Sequence, residues 1–207
     1  MSKEMNQDQI NVVLTSHRAW LCGEGGERAN LQEADLRLAN LLVSNLQESN
    51  LQGANLGWAN LRGADLRDAD LLEANLLEAN LLEANLQQAN LQQADLREAD
   101  LIGVNLREAD LREADLRGAD LRDADLLEAN LLEANDVPIQ MQVGPWLVHI
   151  HGGYMKIGCE HHSVNEWKKF KDKRIELMDE YALEFWQQNR KWLLAACDAQ
   201  MQTIRND

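Results

Sequence analysis

The stretch LLEANLLEANLLEAN, residues 71–85, repeats one quintet of residues three times. Its Leu, Glu and Ala favour helices, but its period does not. At about 100° per residue, each repeat moves the next leucine roughly 140° around a helix, so no apolar stripe forms. In a strand, an odd period places successive leucines on opposite faces of the sheet. The stretch therefore requires a structure whose own unit is five residues long.

The quintets continue without an insertion through residues 29–135, and twenty-one leucines stand five residues apart within them. Two residues before each leucine stands a small residue, which is Ala except at Ser44, Ser49 and Val104, and only Asn or Asp lies between. The small and the large apolar position are predicted to face inward, and the other three positions are predicted to face solvent. Such a fixed period indicates a solenoid, whose units bury their apolar faces by stacking on one another.

The pattern Ala-(Asp/Asn)-Leu-X-X, seen in ADLREADLRGADLRDADL at residues 109–126, resembles the pentapeptide-repeat proteins over residues 27–135. The resemblance implies an all-β solenoid, a right-handed quadrilateral β-helix with one quintet per side and four quintets per coil. Leu and Ala would fill its interior. Twenty-two quintets then give five and a half coils. At the usual strand spacing of about 4.8 Å, these coils form a rod roughly 26 Å long.

Residues 1–26 are predicted to form an N-terminal capping helix and a turn. The ends of a solenoid expose unpaired strand edges, which invite aggregation unless they are covered. One helical face of this segment is apolar apart from a single histidine. The residues on that face are Ile10, Val13, Leu14, His17, Trp20 and Leu21. His17 is therefore predicted to be a packed side chain rather than a ligand.

Residues 136–207 are predicted to form a small C-terminal α+β domain that caps the rod or binds a partner. Its stretch VPIQMQVGPWLVHIHGGYMKIGC, residues 137–159, alternates like a β-hairpin with its bend at Gly152 and Gly153. The letters IGCEHH, followed by EW, resemble the extensions behind the repeats of some bacterial and phage pentapeptide-repeat proteins. That resemblance implies no assigned activity.

Two helices are predicted behind this hairpin. Ser163 stands three residues before Glu166, which is the pattern of a capping box that begins a short helix. Asp172 is predicted to cap a second helix, whose apolar stripe extends over residues 175–196. The stripe either covers the last coil or forms a homodimer, since C-terminal helices in the family often do the latter. Both alternatives stay open.

The predicted domain also contains donor atoms that suit zinc. Cys159, His161 and His162 follow one another closely, and His149 and His151 stand two apart on one strand face. No CxxC pair is present, however, and adjacent histidines on an extended chain point in opposite directions. Ordinary packing is therefore favoured over a metal site. No nucleophile, acid–base pair or phosphate loop stands out, so the sequence predicts neither an enzyme nor a cofactor.

Charge is the more informative signal for function. The formal net charge is −15, and residues 26–135 contribute 22 acidic residues and nine arginines, a net of −13. Duplex DNA presents about one charge per 1.7 Å, or about 15 over the predicted rod. The charge density thus permits a DNA mimic. The resemblance to the quinolone-resistance branch of the family implies DNA gyrase as the target of such a mimic.

One side of the predicted rod has acidic residues at both of its corners, and we call these eight residues the acidic face. They are Glu33, Glu73, Glu113 and Glu133 at one corner and Glu48, Asp68, Glu108 and Glu128 at the other. The alternative is that the nine arginines pair with neighbouring acids and leave a solvated, self-neutralising surface.

The sequence thus predicts a non-catalytic, acidic, cytoplasmic binding protein that acts through protein–protein contacts as a scaffold or interaction module of unknown partner. DNA mimicry is the alternative function. Trp58, the one exterior aromatic residue of the predicted rod, is either a contact for the partner or a platform for another part of the chain. The odd number of widely spaced cysteines, Cys22, Cys159 and Cys197, fits a reducing cytoplasm. Neither direct nucleic-acid binding nor a membrane span is predicted.

Overall fold

The structure is a computed structural model of the 207-residue chain, and it describes residues 3–143 and 145–206. The chain divides into two compact units, Met1–Asp136 and Val137–Asp207. The first unit contains the predicted N-terminal helix and all of the quintets. The second contains the predicted α+β domain.

The first unit begins with the two-residue strand β1 (Lys3–Glu4) and the helix α1 (Gln7–Leu21). β1 pairs in parallel with β2 (Ala34–Asp35) in the first coil. The Asn6 side chain accepts the N–H of Gln9, and the Gln9 side chain accepts the N–H of Asn6. This capping box satisfies amides that have no partner inside the helix, and so it sets where α1 begins.

The apolar face of α1 packs against the core of the first coil. Ile10 is 1% exposed, and His17 is fully buried. The His17 Nδ1 atom accepts the Ala29 N–H at 3.1 Å, and its ring stacks on Trp20 with 5.6 Å between centroids. Because burial lowers its pKa and Nδ1 is an acceptor, the imidazole is neutral. His17 is a packed side chain that ties α1 to the first quintet.

The quintets form coils of twenty residues. Parallel bridges join each Asn or Asp to the one twenty residues later, from Asn30 with Asn50 to Asp115 with Asn135. Each coil therefore contains four quintets. The leucines that stand five apart from Leu31 to Leu126 are at most 7% exposed, and the alanines two residues before them are as deeply buried. The leucine and small positions of the pattern fill the interior as predicted.

Each quintet contains a β-turn made by its two variable residues, which follow the leucine. In the quintet of Leu71, the leucine carbonyl accepts the N–H of Ala74 at 3.0 Å. The second variable residue has a positive φ in all 21 quintets, as in Glu73 at 57° and Gly103 at 64°. The first variable residue does not have a positive φ in any quintet. This combination defines a type II turn, whose third residue has a left-handed backbone.

The Asn or Asp is partly buried in most quintets rather than solvent-facing, which corrects the prediction; Asn30, Asn40, Asn45, Asn130 and Asn135 are exposed. These side chains are mostly half-buried, and their Oδ1 atoms accept the N–H of the first variable residue. Asn75 accepts the Leu77 N–H at 2.9 Å, and Asn80 accepts the Leu82 N–H at 3.0 Å. The short Asn and Asp side chains reach the backbone two residues later, which explains why no other residue type occupies this position.

The second unit contains a four-stranded antiparallel sheet rather than the predicted two-stranded hairpin. Its strands are β3 (Ile139–Val143), β4 (Trp146–His151), β5 (Tyr154–Ile157) and β6 (Glu160–Ser163), in that order. The predicted bend lies between β4 and β5, where His151 pairs with Tyr154. The sheet is larger than predicted because the polar letters of β6 alternate too weakly to indicate a strand.

Three helices follow the sheet: α2 (Val164–Lys169), α3 (Asp172–Ile175) and α4 (Ala182–Asn206). Ser163 and Glu166 form the predicted capping box of α2. The prediction that Asp172 caps one long helix is wrong. Lys171 is the capping residue of α3, and the Asp172 carboxylate instead accepts a hydrogen bond from Gln187.

The predicted long helix is interrupted between α3 and α4. The Asp179 side chain accepts the Tyr181 N–H at 2.9 Å and so stabilises a turn that competes with helix. The apolar side of α4 packs inside its own unit, where Trp186 and Leu193 join Val148 and Ile150 of β4 in one buried cluster. Among the helices that the structure describes, none combines the length and apolar character that a membrane crossing requires.

We expect glycine to have opposite effects at the two variable positions of one quintet. Gln88 has a φ of 58°, in the left-handed region, whereas the φ of the preceding Gln87 is not positive. A side chain in a left-handed backbone costs about 1–2 kcal/mol, while glycine elsewhere costs about 0.5–1 kcal/mol through entropy. The free energy of unfolding of the Gln88→Gly variant should therefore be higher than that of the Gln87→Gly variant by about 1 kcal/mol. Urea unfolding measures both, and equal values would contradict the assignment of the turn.

The serine at one small position should destabilise the solenoid. Ser49 is fully buried, and its hydroxyl has no hydrogen-bond partner among the described residues. Ser49→Ala should raise the free energy of unfolding by about 1 kcal/mol, since it removes an unsatisfied buried group. Ala69 occupies the same position one coil later, so Ala69→Ser is the matched control and should lower the same quantity. The idea fails if both substitutions shift stability in the same direction.

Candidate binding surfaces

The eight residues of the acidic face all occupy second variable positions. Their left-handed backbone turns each side chain outward at a corner, and all eight are exposed. Residues twenty apart lie in adjacent coils, so Glu113 and Glu133 are neighbours, as are Glu48 and Asp68. The coil spacing of about 4.8 Å brings their carboxylates near one another. The structure thus groups the predicted residues into two columns, one at each corner.

Neutral residues interrupt both columns. Gln93 lies between Glu73 and Glu113, and its amide donates to the Glu113 carboxylate at 2.8 Å. In the other column, Gln88 donates to Glu108 at 2.9 Å. Each glutamine thereby replaces a repulsion between like charges with a hydrogen bond.

The arginines of the solenoid pair mainly with the aspartates inside the quintets. Wherever the letters DLR occur, the guanidinium contacts the carboxylate two residues earlier, at 2.5–2.7 Å. The pairs are Asp35–Arg37, Asp65–Arg67, Asp95–Arg97, Asp110–Arg112, Asp115–Arg117 and Asp120–Arg122. Most add a second, parallel hydrogen bond from Nε, which is the strong bidentate geometry.

These pairs change the protonation of the aspartates. The Arg97 guanidinium beside Asp95 lowers the pKa of that carboxyl group, and Arg112 does the same for Asp110. Arg97 also lies 3.8 Å from Asp115 in the next coil, so it offsets the repulsion between Asp95 and Asp115. The six aspartates of these pairs are thus neutralised by an arginine of the same quintet.

The acidic face, in contrast, has no arginine or lysine partner within 4 Å among the described residues. The expectation of a self-neutralising surface is therefore half right: seven of the nine aspartates inside the quintets contact an arginine, whereas the acids of the acidic face do not. The sequence analysis did not predict this difference between paired and unpaired acids, although the positions of the arginines within the quintets indicate it. An arginine follows Asp-Leu at each bidentate pair, whereas Arg62 and Arg107 follow Asn-Leu and make none.

Trp58 lies at a second variable position and is 47% exposed. Leu38, one coil earlier in the same column, is 75% exposed, and Val43 at the next corner is 72% exposed. No other aromatic ring among the described residues stacks on Trp58. These side chains form a small exposed apolar patch on the first two coils.

The weak zinc candidates Cys159, His161 and His162 do not converge in the structure. His161 contacts the Tyr154 ring, while His162 bonds Glu160 at 2.7 Å and lies among the rings of Trp167 and Phe170. Cys159 is exposed on the turn between β5 and β6. Within residues 3–143 and 145–206, no three His, Cys, Asp or Glu side chains are grouped as metal ligands would be.

One protein-family model, described as pentapeptide repeats in eight copies, matches the chain over residues 27–63, 59–97, 79–118 and 99–135. Among solved structures, the pentapeptide repeat protein Rfr23 from the cyanobacterium Cyanothece 51142 is 28% identical, with a TM-score of 0.52. The match covers 58% of this chain and 96% of Rfr23. These similarities imply a right-handed β-helix for the quintets. No curated protein matches the chain significantly.

Two further solved structures match the chain at lower TM-scores. HetL, a pentapeptide repeat protein involved in heterocyst differentiation regulation from Nostoc sp. strain PCC 7120, is 38% identical with a TM-score of 0.41. The match covers 52% of this chain and 53% of HetL, so the chain spans about half the length of HetL. QnrB1, a plasmid-mediated fluoroquinolone resistance protein, is 17% identical with a TM-score of 0.43, over 52% of this chain and 67% of QnrB1.

Removal of one arginine should change the titration of its aspartate. In Arg97→Gln, we expect the pKa of Asp95 to rise toward its usual value of about 3.9. Because the folded-state pKa of Asp95 is lowered, the pair stabilises the protein above the unfolded-state pKa, and this contribution is lost as the pH falls through the folded-state pKa. The variant should therefore be less stable than the wild type at neutral pH, and this difference should disappear in acid.

Carboxyl carbon NMR titration and urea unfolding at several pH values measure the two effects. Arg62→Gln is the control, because Arg62 follows Asn60 and makes no ion pair with a described residue. An unchanged Asp95 titration in Arg97→Gln would show that the pair does not persist in solution.

Proposed function

Because this chain belongs to the pentapeptide-repeat family, we propose that it is a non-catalytic binding protein whose acidic face engages a basic surface of a partner protein. One observation carries the proposal: most arginines of the solenoid pair with aspartates inside the quintets, and the eight carboxylates of the acidic face have no arginine or lysine partner among the described residues. A basic partner could supply the missing counter-charges. The hydrogen-bonded coils fix the backbone positions of these residues, so little backbone entropy is lost on binding.

A finer candidate is a partner that normally binds DNA. The net charge of −13 over residues 26–135 is distributed along a rod of roughly 26 Å, where duplex DNA would carry about 15 phosphates. Since most aspartates inside the quintets are paired with arginines, the remaining negative charge is concentrated at the corners, where a DNA-binding surface would meet it. DNA gyrase, which the resemblance to the quinolone-resistance branch implies, is one partner of this kind.

A second candidate function is a scaffold that binds through apolar contacts. The exposed patch of Trp58, Leu38 and Val43 supports it, because exposed tryptophans often anchor interfaces. A homodimer through α4 remains a prediction. Such a dimer would use the outer side of α4, where Trp192 is 37% exposed, since the inner side packs against its own sheet.

We place the protein in a reducing compartment such as the cytoplasm. Cys22 and Cys159 are free and exposed, and free exposed thiols are uncommon in oxidising compartments. Burial raises the pKa of the Cys197 thiol to about 11, so this third cysteine is unreactive.

Capture from a lysate of the source organism, treated with nuclease, tests the proposal at low and moderate salt. The test variant combines Glu73→Gln, Glu113→Gln and Glu133→Gln on the acidic face. The matched control combines Glu78→Gln, Glu83→Gln and Glu98→Gln, which remove the same charge at other corners. We expect the wild type and the control to capture a partner that the test variant does not, and moderate salt to release it.

The identity of the captured protein then separates the finer candidates. For a DNA-binding partner, duplex DNA should compete with the wild type for binding. A partner captured equally by all three proteins and retained in salt would contradict the role of the acidic face. If that partner is lost from Trp58→Ala, the apolar patch is the binding surface instead.

A further inference from the structure

A groove in the first unit lies between α1 and one side of the first coil, and the proposed function does not use it. The groove is open to solvent, and about 310 Å³ of it is accessible to water-sized groups. Its walls come from α1 and from a single quintet, and the residues that line it are Asn11, Leu14, Thr15, Arg18, Ser44 and Asn45. None of these residues belongs to the acidic face.

The first coil has an edge toward the N-terminus where no earlier coil pairs with its backbone. At Asn45, both neighbours bond the second coil. The Leu46 N–H donates to the Asp65 carbonyl at 2.7 Å, and the Ser44 carbonyl accepts the Asp65 N–H at 2.9 Å. Because successive peptide groups of an extended chain point in opposite directions, the N–H and C=O of Asn45 itself face the free edge. Such an edge is a template for further hydrogen bonds.

The chain covers two neighbouring sides of this edge with its own residues. Asp35 pairs with β1, and its carbonyl accepts the Met5 N–H at 3.2 Å. At Asn40, one side chain takes the place of a strand. The Gln7 carboxamide accepts the Asn40 N–H and donates to the Asn40 carbonyl, both at 3.0 Å. A primary carboxamide therefore matches the N–H and C=O that one Asn residue of this edge presents.

Asn45 presents the same pair of groups to the groove without an occupant. Neither its N–H nor its C=O has a hydrogen-bond partner among the described residues, and Asn45 is exposed. Arg18, on the helix side of the groove, is also exposed and contacts no carboxylate in the part of the chain that the structure describes. The groove thus combines a donor–acceptor pair of the backbone with a cation that lacks a counter-ion.

From this arrangement, we propose that the groove binds the glutamine residue at the carboxyl end of a peptide. The ligand's carboxamide bonds the N–H and C=O of Asn45 as Gln7 bonds Asn40, and its α-carboxylate pairs with Arg18. The methylene groups between them pack on Leu14, the aliphatic residue of the wall. The bonds to the second coil hold the Asn45 backbone in place, so both of its groups are preorganised for the ligand.

Three small compounds separate the parts of the proposal: N-acetylglutamine, N-acetylglutamate and N-acetylnorvaline. All three have the α-carboxylate, but only the first has a carboxamide side chain that both donates and accepts. We expect N-acetylglutamine to bind with a dissociation constant on the order of 1 mM, as its size allows. The other two should bind about tenfold more weakly, because neither donates to the Asn45 carbonyl. Equal affinity for all three would overturn the role of the carboxamide.

Backbone amide signals in nitrogen-15 NMR spectra of the whole chain show where the ligand lies. N-acetylglutamine should shift the Asn45 signal in a saturable way and leave the Asn40 signal unchanged, since Gln7 already occupies that amide. Asn30 is a second control, because its N–H also lacks a partner among the described residues but does not line the groove. The absence of a shift at Asn45, or an equal shift at Asn30, would contradict a specific site.

A peptide ligand makes one further demand. The peptide acetyl-Ala-Ala-Gln should bind at least as tightly as N-acetylglutamine, because the groove is open to solvent and leaves a path for the rest of the chain. Rejection of this peptide would leave only free small molecules as ligands and would overturn the proposal in its stated form.

Variants of α1 test the two walls separately. Arg18→Gln should weaken N-acetylglutamine about threefold, the usual effect of an exposed ion pair, and leave the binding of butyramide, which has no carboxylate, unchanged. Thr15→Trp fills the groove and should abolish the binding of both compounds. Val12→Trp is the matched control, since Val12 is 69% exposed on the same helix and does not line the groove. Undiminished binding by Thr15→Trp would place the ligand elsewhere.

Discussion

The left-handed backbone of every fifth residue is the constraint on which the rest of the solenoid depends. It closes the turn that ends each side, and it directs the side chain at that position outward at a corner. Coils of twenty residues then stack the corner side chains in columns. The same residue that lets the chain turn, such as Glu73 or Glu113, therefore also forms the outermost surface of the solenoid. Fold and surface are coupled through one backbone angle.

The charges follow from this geometry. An arginine at the first variable position lies close to the aspartate of its own quintet, so Arg112 pairs with Asp110 rather than with the adjacent Glu113. The two kinds of acid thus differ in their chemistry. Paired aspartates stabilise the turn and contribute little to the outer field, whereas the corner glutamates dominate it. The net charge alone does not distinguish paired aspartates from unpaired corner glutamates, but the position of each acid within its quintet does.

The five-residue period predicted the buried leucines and the succession of quintets, because burial of an apolar pair depends only on phase. It did not predict the role of Asn75 or Asn80, because a hydrogen bond to the backbone two residues later leaves no trace in a hydropathy pattern. The second unit was less predictable for a related reason. Asp179 interrupts an apolar stripe of helical period through one side-chain hydrogen bond.

Internal duplication shows which features the fold requires. Residues 61–80 recur without change as residues 116–135, an offset of 55 residues, which is not a multiple of the coil length. The pair Asp65–Arg67 survives as Asp120–Arg122, because both partners lie in one quintet. The columns of corner residues, in contrast, are not preserved, because the offset moves each corner residue to a different corner. The copies of Glu73 and Glu78 are Glu128 and Glu133, each one corner away from its original.

The acidic face of the last coil is therefore built from residues that occupy other corners in the earlier copy. Such a face can grow by duplication only if the second variable position is acidic at most corners. Under the proposed function, the selectivity of the acidic face would therefore depend on the positions that break its two columns, namely Gln88 and Gln93, rather than on the acids alone.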